Sequence, residues 1–132
     1  MVSSGTVTGN LSTLTTHIKS YQTEISGVGS NWKGASYDNL SSKANSFADE
    51  CISTITSEME AFASACDKYE EYIQTKKDYE TALSNYNTAL SNKNIDAAAS
   101  YSSQAASLRT KKETLKSEID ALLQTASSGS IS

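Results

Sequence analysis

"GVGSNWKGASYDNL", residues 27–40, decides how this chain folds. Gly27 and Gly29 follow a long run of periodic apolar residues, as glycines do at the C-terminal ends of helices. Gly34 gives a turn its backbone freedom, and a second periodic run opens behind it. Upstream, Val7, Leu11, Leu14, Ile18, Tyr21, Ile25 and Val28 recur at alternating steps of four and three. That spacing is the a/d seam of a coiled coil, and it leaves Asn10 and His17 outside. The stretch therefore reads as a connection between helices at about 4–28 and from about 36 onward.

Downstream, one stripe starts at Leu40, Ala44, Phe47 and Cys51. It continues through Ile52, Ile55, Met59, Phe62, Cys66, Tyr69 and Ile73, then through Tyr72, Lys76, Tyr79, Leu83, Tyr86 and Leu90. The slips near 51/52 and 72/73 let an apolar seam follow the 3.6-residue turn of a real helix. The chain has no proline, so nothing breaks a helix over 36–90, which would be about 80 Å long. "SNKN" at 91–94 is the next turn, with Asn94 placed to cap a third helix at about 95–125. Its stripe is Tyr101, Ala105, Leu108, Lys112, Leu115, Ile119 and Leu122.

Folding back at both turns pairs residue i with 66 − i in the first hairpin and with 186 − i in the second. The two arms then meet near "AFASA", 61–65, and Lys116 and Glu118 face Glu70 and Lys68. The expected fold is all-α: elongated antiparallel hairpins, one long central helix flanked by two shorter ones, in a coiled-coil-like bundle. It forms a single elongated domain over 1–126, with 127–132 a tail or linker. Two helical layers cannot enclose an apolar stripe on every side, so each half is expected to complete its core against another chain.

Composition narrows the function. With 11 Lys and Arg against 15 Asp and Glu, and no basic block, the chain has no stripe with which to neutralise phosphates, so nucleic-acid binding is not expected. No segment has the roughly 20 apolar residues of a membrane span. The opening "MVSSGTVTGNLSTL" lacks the basic and apolar regions of a cleaved signal peptide. His17 is the one histidine, which rules out a His-based metal set. Cys51 and Cys66 lie about 22 Å apart on one helix, beyond disulfide reach; they read as small buried hydrophobes or as sites of an intermolecular bridge. Cys51 with His17 is the one nucleophile–base pairing on offer, and a thin rod gives it no pocket. No enzyme activity, catalytic residue, cofactor or metal is expected.

Trp32 and Gly34, the heptad helix before them, and the opening "GASYDNLSSKANSF" (34–47) together resemble the WXG family of Gram-positive bacteria over about 1–62. These are the small helical-hairpin proteins of type VII (ESX) secretion. The resemblance implies antiparallel hairpins that dimerise into four-helix bundles and are exported folded, without a cleaved signal peptide. It implies a cytoplasmic stage before export to the medium or cell surface, and a secretion ATPase as partner. It assigns Trp32 and Gly34 to an export or recognition motif. As architecture alone, Trp32 would simply lid the end of the hairpin. No tyrosine here has Asp or Glu four residues on, so the actinobacterial Tyr-x-x-x-Asp/Glu motif is absent. The long middle helix and the third helix look closer to the helical partners of LXG-type toxins, or to a WXG-like N-terminal module.

The leading expectation is a non-enzymatic type VII secretion substrate or adaptor that acts by helical association. Its association interface would draw on Leu11, Leu14, Ile18, Phe47, Ile55, Tyr72, Tyr79 and Tyr86. The partner would be a second copy, or a helical domain such as the N-terminal domain of a toxin. The alternatives are a dimerising or targeting module of a larger secreted enzyme, such as a cell-wall hydrolase, and a structural coiled coil.

Overall fold

A computed structural model describes residues 2–28 and 34–128, except for the side chains of 28, 35 and 36. The fold is all-α, with helices α1 (Ser4–Val28), α2 (Ala35–Ser91) and α3 (Ile95–Ser128). Ser3 caps α1, its hydroxyl accepting the Thr6 amide at 3.2 Å. The hydroxyls on the polar side of α1 bond back to their own helix: Thr8 to Ser4, Thr13 to Gly9, Thr16 to Ser12, Ser20 to Thr16 and Thr23 to Lys19. A Ser/Thr-rich helix face can thus satisfy its donors without a neighbour.

Gly34, at φ 147°, accepts the Asp38 amide and opens α2. Asp38 sits in the first turn of that helix, where the macrodipole favours an acid. The Tyr37 phenol donates to the Ile25 carbonyl at 2.8 Å, tying the start of α2 to the end of α1.

The α2–α3 corner is closed by backbone bonds. Asn94 donates to Ala89 and Lys93 to Leu90, a Schellman pairing with Lys93 at φ 57°, where glycine is usual. Asn94 also caps α3, its side-chain oxygen accepting the Ala97 amide at 3.1 Å. At the far end α3 runs past the expected stop near 125, because Ser127 and Ser128 bond back to Leu123 and Thr125.

The chain divides into two compact units that share α2: unit 1 is 1–64 with 123–132, and unit 2 is 65–122. In unit 1, Val7 and Met59 line one open hollow, as the expected register requires. Ala126 of α3 lines it too, so three helices meet there. Ala61 and Ala63 lie about 200° apart around α2, yet both are buried. Helix α2 is therefore flanked on two sides where the arms meet, and small residues permit the close approach. In unit 2, Lys68 and Glu118 pair at 3.0 Å, which fixes the expected register. Lys116 departs from it: instead of facing Glu70 it lines a hollow with Tyr69, Tyr72 and Ile119.

Candidate association surface

The α3 stripe inferred from sequence is the one that packs. Tyr101, Ala105, Leu108, Lys112, Leu115, Ile119 and Leu122 are all buried or half-buried, and Ala98 extends the stripe by a turn. The facing seam of α2 is Ala65, Lys68, Tyr72, Thr75, Tyr79, Ala82, Tyr86 and Ala89. Large and small residues alternate along it. Thr75, Ala82 and Ala89 stand where the sequence had suggested Lys76, Leu83 and Leu90, which are exposed. That one-residue correction has a steric cause. Three tyrosines already fill the space between the helices, so the layers between them take small side chains. Tyr72, Tyr79 and Tyr86 are thus half-buried within their own hairpin, and the Lys112 ammonium lies 4.9 Å from the Tyr79 ring.

Unit 1 is seamed differently. Val7, Leu11, Ile18 and Ile25 turn toward α2, as does Ile55 toward α1, but Thr15 and Gln22 are the half-buried residues of the middle turns. Leu14 and Tyr21 stand one position before them and are 38% and 68% exposed. On α2, Leu40 and Phe47 likewise precede half-buried Ser41 and Ala48, at 60% and 53%. Placing Leu14, Tyr21, Leu40 and Phe47 on the intramolecular seam is therefore corrected. The apolar stripe of each helix is wider than one partner helix can cover, and its outer edge is left over. In an antiparallel pair, positions that precede seam residues fall on the same side of both helices. The four side chains consequently share one face of the hairpin. On the other side Gln22 donates to Asp49 at 3.0 Å.

Of the residues assigned to association, Leu14 and Phe47 are open to a partner. Leu11, Ile18, Ile55, Tyr72, Tyr79 and Tyr86 are engaged by their own chain. Gly34 is exposed, with open space around its α-carbon. Trp32 lies outside the described residues.

Unit 2 has a polar side held by charge. Lys111 pairs with Glu71 at 3.0 Å, and Gln74 donates to Asp78 at 2.8 Å. The hydrogen bond from Lys111, and then its charge, lower the Glu71 carboxyl below its ordinary pKa. Glu118 raises the Lys68 ammonium in the same way. Both pairs are exposed and select register more than they stabilise.

The hollows of both units are open surface depressions lined by mixed side chains. His17 is exposed and Cys51 half-buried. Among the described residues no group of three His, Cys, Asp or Glu is placed to hold a metal, and no helix is long and apolar enough to cross a membrane. No family model, curated protein or solved structure matches this chain.

Proposed function

We propose that this protein works by helical protein–protein association, without chemistry of its own, as a WXG-like substrate or adaptor of type VII secretion. The observation that carries the reading is the one-sided apolar face of unit 1. Leu14, Tyr21, Leu40 and Phe47 are large, exposed and on the same side of a two-helix layer. Contiguous exposed apolar surface of this kind marks interaction sites, and two further helices would complete a four-helix arrangement over it. The occupant is a helical domain, either that of a secreted toxin or another copy of this hairpin. The export role rests on the Trp32 and Gly34 motif in the sequence between α1 and α2.

Export of the full chain from a Gram-positive host with a type VII system tests this reading. Trp32→Ala is expected to abolish export while far-UV circular dichroism stays helical and association persists. Adding Gly34→Ala sharpens the result, although at φ 147° the new side chain also strains the turn. Undiminished release of Trp32→Ala into the medium would reduce the turn to a connector and remove the secretion reading.

A further inference from the structure

Helix α2 carries a second seam in unit 2, one residue on from the seam that α3 covers. Cys66, Tyr69, Ile73, Lys76, Glu80, Leu83, Asn87 and Leu90 follow one another at steps of three and four without a break. α3 leaves most of this line open, reaching it where Lys116 and Ile119 share a hollow with Tyr69. Tyr69, Leu83 and Leu90 are 44%, 38% and 44% exposed, Lys76, Glu80 and Asn87 are exposed, and Cys66 and Ile73 are half-buried. The Tyr69 ring is held in place by stacking on Tyr72, with centroids 6.3 Å apart. Lys76 and Glu80 make no ion pair among the described residues. A heptad line of large side chains with two unpaired opposite charges at its middle has the pattern of a coiled-coil interface awaiting a partner.

We infer that a second copy of this chain docks on that line, with the two α2 helices antiparallel about a two-fold axis at residue 78. In an antiparallel coiled coil each a position faces a d position of the mate. About residue 78, residue i meets 156 − i. Ile73 then meets Leu83 of the second copy, Cys66 meets Leu90, Tyr69 meets Asn87, and Lys76 meets Glu80. Two-fold symmetry repeats every pairing. The centre of the interface therefore holds two Lys–Glu pairs flanked on each side by an apolar layer.

Neighbouring registers fail on charge. A shift of one heptad lays Lys76 on Ile73 and Glu80 on Tyr69, or, in the other direction, Lys76 on Asn87 and Glu80 on Leu83. Either way both charges are desolvated without a partner, which is costly. A parallel pairing sets Lys76 on Lys76 and Glu80 on Glu80. Charge complementarity thus selects one occupant, one direction and one register. This inference rests on the association reading for its use of a helical face and deepens it by naming the partner; the face lies in unit 2, apart from the unit 1 surface argued above.

The test is a charge swap in the full chain, read by sedimentation equilibrium at high micromolar concentration, with circular dichroism checking that helix content is unchanged. The parent is expected to be a dimer. Lys76→Glu and Glu80→Lys should each weaken it by at least about tenfold, because each sets like charges together. Lys76→Glu combined with Glu80→Lys should restore it. Both sites are exposed, so folding is not at issue. As a second readout, Leu90→Cys in a Cys51→Ala background should give a covalent dimer through Cys66 under mild oxidation, whereas Thr81→Cys, about 120° round the helix from the centre of that line, should not. A parent that stays monomeric, or a dimer indifferent to either single swap, overturns the inference. A monomer still exported through Trp32 would overturn it while leaving the secretion reading in place.

Discussion

The two hairpins dispose of their large side chains in opposite ways. In unit 2 the tyrosines at 72, 79 and 86 lie along the helix–helix seam, spaced by Thr75, Ala82 and Ala89, and ion pairs Lys68–Glu118 and Lys111–Glu71 link the two helices. In unit 1 Thr15, Gln22, Ser41 and Ala48 occupy the middle of the seam, while Leu14, Tyr21, Leu40 and Phe47 face out. A pair of helices closes on itself when bulky and small layers alternate, since each bulky group then has a recess to fill. Where the seam residues are small and polar on both helices, the bulky groups remain outside, available to another surface. At the seam between its helices unit 2 is therefore the braced half and unit 1 the receptive one, although unit 2 keeps an open line on α2 from Cys66 to Leu90.

The largest expected effect strikes the braced half. Leu115 is 3% exposed, and Leu115→Ala should cost about 2–5 kcal/mol in urea unfolding. Phe47→Ser, on the receptive half, should change the stability of the isolated chain by no more than about 0.5 kcal/mol. Equal losses from the two would break the contrast. Next comes the corner: Asn94→Ala removes the α3 cap and should cost about 1 kcal/mol by the same measurement. Lys93→Gly acts in the other direction, relieving a left-handed residue with a side chain, and should raise stability by about 1 kcal/mol.

The smallest effect is electrostatic. Lys111 lowers the Glu71 pKa, so this pair contributes above the ordinary carboxylate range, and its contribution fades as pH falls through the lowered value. Glu71→Gln should lower thermal stability at neutral pH by less than Asn94→Ala does, and that deficit should vanish in acid. Glu118 raises the Lys68 pKa; that contribution is whole at neutral pH and is lost only as alkaline pH passes through the raised value.

Much of this was legible in the residues. Gly34 and the SNKN corner mark helix boundaries because each has a distinct terminating chemistry, whereas Gly27 lies within the last turn of α1. The α3 seam was complete, since its apolar residues hold one period and nothing competes with them. Periodicity places the α2 seam of unit 2 one position off, because leucine at 83 and 90 outranks alanine at 82 and 89 on hydrophobicity, whereas packing beside tyrosine is decided by volume. The same bias sets Leu14, Tyr21, Leu40 and Phe47 on the seam between the helices, although Leu14 and Phe47 are also assigned to association. Periodicity reports where apolar groups recur, but not which edge of a broad stripe a single neighbour will cover. The open line from Cys66 to Leu90 follows from knowing which seam α3 takes.

Asn94 ends one helix with its amide and begins the next with its carboxamide oxygen. A corner built this way has no slack. One extra residue between Asn92 and Asn94 would rotate α3 by about 100°, swinging Ala98, Ala105 and Leu115 out of contact together. Insertions, tags and fusion points belong elsewhere in this protein, since the phase of its whole last helix is set at a single asparagine.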